Sequence, residues 1–136
     1  MSDSIPPDIG RLLADGVASL EGLEVLLLLR KERARAWPFD EIARRLSIPP
    51  SSIEPALEEP VRYGLIEHER SPAGETWRFA PRTDGLDALV DRLASIYDER
   101  RLEVMRLLSA HAMERIRNSA ARAFADAFVI GRKKDG

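Results

Sequence analysis

The chain has 136 residues, 44% hydrophobic and 32% charged, with a formal net charge of -2 and a pI near 5.8. That is the make-up of one ordinary globular domain, long enough to bury a core without staples. It contains no cysteine, which excludes disulfides, thiolate metal sites and cysteine nucleophiles, and its mild acidity argues against gripping nucleic acid by bulk charge alone.

Residues 1–7 read as a loose arm, and the acidic, proline-bearing start MSDSIPPD is not a signal peptide. Asp8 then precedes a short apolar pattern, Ile9, Leu12 and Leu13, weakened by Gly10 and Gly16. From Ser19 the pattern firms, and Leu20, Leu23, Val25, Leu26 and Leu27 give a wide apolar helical face extended by Leu28 and Leu29. Such a helix belongs at the centre of a core or across an interface. Its longest apolar run, Val25 to Leu29, is far too short to span a bilayer, so cytoplasmic placement is the expectation. The charged run RKERARA ends the helix or forms a solvated connection.

Trp37-Pro38 followed by Asp40 and Glu41 is a conventional helix start. Ile42, Ala43 and Leu46 share one face of that helix, and Arg44 and Arg45 point elsewhere. The stretch SIPPSS breaks it and starts another helix, with Ser51 or Ser52 as the competing caps. A cap at Ser52 would put Pro55 in the first turn, where no hydrogen-bonding N–H is lost. Pro60 lies in the interior, lacks the N–H that would reach the Ala56 carbonyl, and predicts a bent or shortened helix.

After Gly64, two short runs, Leu65 to Arg70 and Thr76 to Ala80, flank a Ser-Pro-Ala-Gly turn. Trp77 and Phe79 alternate with Thr76, Arg78 and Ala80, as suits a hairpin with one buried face. Thr83-Asp84 can cap the next helix. From Leu86 to Ile130 there is neither glycine nor proline. Leu86, Leu89, Leu93 and Ile96 resemble a coiled-coil seam, interrupted at Asp98 to Arg101 and resumed by Val104, Leu107, Leu108, Met113, Ile116, Ala120, Phe124 and Phe128. One helix of that length is unusual, so a break is expected near Ser109 to Ala112. A short basic tail with Arg132, Lys133 and Lys134 closes the chain.

The stretch Phe39 to Pro81, FDEIARRLSIPPSSIEPALEEPVRYGLIEHERSPAGETWRFAP, resembles the winged helix-turn-helix of bacterial regulators of the MarR and PadR types. EIARRLSI is similar to the first motif helix, ALEEPVRYGLI to the end of the recognition helix, and HERSPAGETWRFAP to the wing. The departure is Pro60, where the family pattern has leucine. The resemblance implies a mostly α fold with a small β-hairpin wing, flanked by N- and C-terminal dimerisation helices. In that organisation residues 1–18 are an arm and short helix, 19–82 the winged core, and 83–136 a helical dimerisation segment with a basic tail.

The resemblance also implies a homodimeric transcriptional regulator binding duplex DNA, but the local charge does not fit easily. From Pro38 to Arg82 there are six basic and eight acidic residues. On the presumed recognition helix Ile53, Ala56, Leu57 and Val61 face inward, leaving Glu54, Pro55, Glu58, Glu59 and Arg62 outside, with Glu58 and Arg62 spaced to pair. Such a face is a poor fit to a polyanion. Candidate DNA contacts are therefore Arg44, Arg45, Ser51, Ser52, Arg62, Arg70 and Arg78, with Lys31, Arg33 and Arg35 before the motif as a further route. The alternative partner is a basic protein surface docked by Glu54, Glu58 and Glu59. Candidate dimer contacts are Leu26, Leu86, Leu89, Leu93, Ile96, Phe124 and Phe128. The two histidines, His68 and His111, lie far apart and lack a nucleophile frame or metal-ligand spacing, so the expectation is no enzyme, no metal and no cofactor.

Overall fold

A computed structural model describes residues 5–135, with side chains described for 5–125. The leucine-rich segment becomes the central helix α2 (Leu20–Lys31), started by Ser19, whose hydroxyl accepts from the Gly22 N–H at 2.9 Å. Leu23, Val25, Leu26 and Leu29 are all wholly covered by the same chain. Before α2, α1 (Pro7–Arg11) runs into a wider π-helical turn, Leu12–Val17, ending at Ala18 in the left-handed region (φ 72°). Gly10 and Gly16 do not weaken this segment enough to leave it loose: Ile9, Leu12, Leu13 and Val17 are core residues.

Next come α3 (Phe39–Leu46), α4 (Pro50–Tyr63) and a hairpin of β2 (Ile66–Ser71) and β3 (Gly74–Phe79). Trp37-Pro38 is a short strand, β1, before it is a helix start; it pairs antiparallel with β3, giving the sheet order β1-β3-β2. Trp37 is thereby buried on the core side.

Neither Ser51 nor Ser52 caps α4. The Pro49-Pro50 pair sets extended backbone and then the fixed φ of a first helical residue, so α4 starts earlier and has no side-chain cap. Pro55 consequently lies beyond the first turn. The helix is not shortened by Pro60 but continues to Tyr63 and ends at Gly64 in the left-handed region (φ 92°). Pro60 itself is buried, filling the place of an apolar core residue. The Ala56 carbonyl it leaves without a helical donor faces Gly22 of α2, where an added Cβ would lie 3.4 Å from that oxygen.

Thr83 caps α5 (Asp84–Glu99), accepting from the Leu86 N–H at 3.1 Å. The break between the last two helices falls at Arg100 (φ -132°, ψ 50°), not near Ser109 to Ala112, and α6 runs Arg101–Asp135 without interruption. Helix-forming residues with no glycine or proline between Arg101 and Ile130 supply no stop signal. Val104 and Leu108 anchor the start of α6 in the core. Farther along, Arg115 reaches back and donates to the Ala18 carbonyl at 2.6 Å.

Polar links fasten α5 to the body. Arg30 pairs with Asp91 at 2.7 Å, Arg33 with Asp87 at 3.1 Å, and Arg92 with Asp8 at 2.7 Å. The hydrogen bond from Arg92 holds the Asp8 carboxyl below its ordinary value, against the opposing effect of desolvation. The hydrogen bonds Arg33 donates to Asp87 hold its guanidinium more firmly protonated.

Candidate nucleic-acid interface

The face of α4 opposite its core stripe is open. Ile53, Ala56, Leu57 and Pro60 are buried; Glu54, Pro55, Glu58 and Arg62 are exposed. Beside it stands the hairpin, whose register decides the fate of its charges. Arg70 lies directly opposite Glu75, and Arg78 opposite Glu67. Each pair closes into an ion pair, Arg70–Glu75 at 2.9 Å and Arg78–Glu67 at 3.3 Å. The residues linking the strands are Pro72 and Ala73, so the tip carries no charge.

Most of the other candidate arginines are similarly engaged. Arg62 pairs with Glu59 at 2.9 Å, three residues earlier, instead of with Glu58. Arg45 pairs with Glu32 at 3.4 Å, and Arg35 with Glu41. The Arg35 guanidinium also covers the Trp37 ring at 3.8 Å from its centroid, with Arg45 at 5.4 Å. Arg44 is the exception: it is exposed at the end of α3 and enters no ion pair among the described residues. Ser51 is exposed and Ser52 half-buried in the first turn of α4. Arg33 is drawn away to α5 by Asp87, whereas Arg35 shares Glu32 and the Trp37 ring with Arg45.

Between α4 and the hairpin lies a groove of about 740 Å³. Its apolar lining is Phe39, Leu57, Val61 and Trp77; Glu54 and Glu58 stand on the α4 side and Glu75 on the hairpin side. The His68 ring stacks on Trp77 at 4.4 Å and 5°. Its Nε2 is 3.2 Å from a Glu75 oxygen but is not aligned for a hydrogen bond, so ring stacking and not a formed pair holds it in place. His111, on α6, is partly buried and its Nε2 likewise lacks a hydrogen-bond partner among the described residues. Among the described residues no three His, Asp or Glu side chains are arranged to hold a metal ion, and no helix is long and apolar enough to cross a membrane.

The expected dimer residues divide. Leu26 and Leu93 are wholly buried within the single chain and so offer nothing to a partner. Leu86, Leu89 and Ile96 are partly buried against the same core. On α6 the apolar residues emerge into solvent: Met113 is 62% exposed, Ile116 69% and Phe124 73%, with Leu102 at 68% nearer the start. Phe128 and the basic tail lie outside the residues whose side chains are described.

Sequence reasoning did not find the groove. Its signal was nevertheless present: a two-residue turn at Pro72-Ala73 places Glu75 opposite Arg70 and Trp77 opposite His68. Arg115 gave no such signal, because its acceptor is a backbone carbonyl distant in sequence.

No family model matches the chain, and no curated protein matches it. Solved structures do. A variant of S. aureus MepR bound to an oligodeoxyribonucleotide aligns at 17% identity and a TM-score of 0.50, covering 87% of this chain and 89% of that one. A variant of E. coli MarR complexed with operator DNA aligns at 17% identity and 0.49, covering 85% of each. Lactococcus lactis ZitR aligns at 17% identity and 0.46, covering 79% and 73%. The fold expected from Phe39 to Pro81 is the one observed: a winged helix with helical flanks.

Proposed function

We propose that this chain is a winged-helix transcriptional regulator that acts on duplex DNA as a homodimer. The observation that carries the reading is an uncovered α4 beside a short hairpin, in a chain whose fold aligns with that of the MepR variant bound to an oligodeoxyribonucleotide. Arg44 and the serines in the first turn of α4 are the groups best placed for phosphate. Arg45, Arg62, Arg70 and Arg78 join only by exchanging a glutamate for a phosphate. Exposed ion pairs are worth roughly 0–1 kcal/mol each, so exchange is feasible, but the displaced carboxylates remain nearby and oppose the polyanion. Affinity then rests on few phosphate contacts and on the doubling that a dimer provides.

Dimerisation is supported by α6. Leu102 to Ile116 spans about 21 Å of helix at 1.5 Å per residue, and Leu102, Met113 and Ile116 all stand exposed along it. A second copy is the simplest cover for that surface. Fluorescence anisotropy with genomic fragments at low salt tests the DNA reading. Binding that weakens on Arg44→Ala supports it; absence of binding at micromolar dimer overturns it.

A second reading is favoured by one specific observation: Glu54 and Glu58 enter no ion pair among the described residues. A basic protein surface could complete them. Capture of such a partner that is lost in the Glu54→Ala, Glu58→Ala, Glu59→Ala variant would replace the DNA reading.

A further inference from the structure

We propose that the open edge of the hairpin, strand β2, takes an extended basic peptide as a further antiparallel strand. The proposal stands on the sheet edge and depends neither on the DNA reading nor on the outer face of α4.

Register fixes which backbone groups the edge offers. In an antiparallel ladder, pairs that exchange both hydrogen bonds alternate with pairs that exchange none. The Leu65 carbonyl accepts from the Ala80 N–H at 3.0 Å, and the pairing then steps without a bulge from Ile66–Phe79 to Ser71–Gly74. Glu67, Glu69 and Ser71 therefore bond towards β3. The N–H and C=O groups of Ile66, His68 and Arg70 point the other way, where the order β1-β3-β2 provides no further strand. Among the described residues these groups have no hydrogen-bond partner. Such a row is a template for main-chain pairing.

Side-chain charge selects the occupant. At the open edge Glu67 and Glu69 hold the non-bonded positions, where side chains of adjacent strands come closest. Both are exposed; Glu67 is shared with Arg78 at 3.3 Å, and Glu69 enters no ion pair among the described residues. A second copy of β2 fits poorly. Antiparallel registers centred on residue 67, 68 or 69 set glutamate directly against glutamate, which is destabilising. An acidic peptide repeats that conflict. A strand with lysine or arginine at alternate positions places a cation against each carboxylate. Its intervening residues fall on the opposite face, where the His68 ring lies flat on Trp77 at 4.4 Å, and apolar side chains suit that surface. Arg70, on the same face, is already held by Glu75 at 2.9 Å, so its charge is offset.

The experiment is a nuclear magnetic resonance titration of the isotope-labelled full chain with the end-blocked peptide Lys-Val-Lys-Val-Lys. Saturable shifts are expected on β2, with the amides of Ile66, His68 and Arg70 gaining protection from hydrogen exchange. In an antiparallel addition the valine N–H groups face β2 and the lysine N–H groups face away. N-methylation of the valines should therefore weaken binding by about tenfold or more, and N-methylation of the lysines by no more than about twofold. The acidic counterpart Glu-Val-Glu-Val-Glu should not bind. A Glu67→Gln, Glu69→Gln variant should lose about fivefold to tenfold in affinity, with its far-UV circular dichroism unchanged because both positions are exposed. A Glu54→Gln, Glu58→Gln variant should bind the peptide as the parent does, which separates this edge from the acidic face of α4. Equal or reversed effects of the two N-methylations, binding of the acidic peptide, unchanged affinity in the Glu67 and Glu69 variant, or loss of binding in the Glu54 and Glu58 variant each overturns the proposal.

Discussion

Substituting Gly22 by alanine sets a local rule against a tertiary contact. In an isolated helix the change stabilises by about 1 kcal/mol, because glycine loses more backbone entropy on folding. Here a Cβ on Gly22 would lie 2.4 Å from the Val17 carbonyl oxygen, 3.2 Å from the Ser19 hydroxyl and 3.4 Å from the Ala56 carbonyl oxygen. The first distance must open to about 3.0 Å before it becomes tolerable, a shift of at least 0.6 Å (3.0 less 2.4). The obstacle is backbone that joins a buried Val17 to the left-handed Ala18, and cannot rotate away like a side chain. Overpacking of this kind costs about 1–3 kcal/mol. With the helical gain of about 1 kcal/mol subtracted, Gly22→Ala should lose up to about 2 kcal/mol. Urea unfolding followed by circular dichroism reads this as a midpoint lowered by up to about 1 M. Gly85→Ala is the paired control: on α5 the nearest atom to an added Cβ is the Thr83 hydroxyl at 3.8 Å, so that variant should gain up to about 1 kcal/mol. A Gly22→Ala chain more stable than the parent by the full helical gain of about 1 kcal/mol would refute the close approach of α2 to the π-helical turn and α4.

The remaining expectations concern core, caps, ion pairs and assembly. Leu93→Ala should lose about 2–5 kcal/mol in the same urea assay, because the side chain is wholly buried within its own chain. Ser19→Ala and Thr83→Ala should each lose about 1 kcal/mol, through the bonds to Gly22 and Leu86 respectively. The Asp8 carboxyl is held below its usual value of 3.8 by Arg92, so its contribution is present above that pH and is lost as pH falls through the folded value. Arg92→Gln should therefore be less stable than the parent at neutral pH, and the gap should close on acidification; a gap independent of pH would remove the role given to this pair. Met113→Glu, Ile116→Glu should reduce the mass measured by light scattering to that of one chain while leaving the circular dichroism signal of the winged core in place.

Helices and hairpin were legible from residues 37–81 because their signals are local. Apolar spacing of 3.6 marks α3 and α4, alternation marks Trp77 and Phe79, and Gly64 marks the end of α4, where its positive φ requires it. Where local signals competed, the order of events along the chain was misread. Ser51 and Ser52 look like caps, but Pro49-Pro50 starts the helix first. Pro60 predicts a bent or shortened helix; α4 is not shortened, the ring occupies the core, and α2 brings Gly22 against the carbonyl that Pro60 strands. The acidic outer face of α4 was readable from Glu54 and Glu58. That the arginines expected to offset it are bound to glutamates was not, because each such pair depends on a strand register or on helices brought together from distant parts of the chain.

Sequence by itself determined the main helices and the hairpin, that the recognition-like helix carries acid outward, and that no thiol chemistry is available. Only the tertiary structure decided that Leu26 and Leu93 belong to one chain's interior while Met113 and Ile116 face solvent. It also decided that Glu54 and Glu58 border a groove floored by Phe39 and Trp77. The reason is physical: periodicity states which side of a helix is apolar, but what covers that side depends on where other helices cross it, and α6 extends past the body before its stripe is covered.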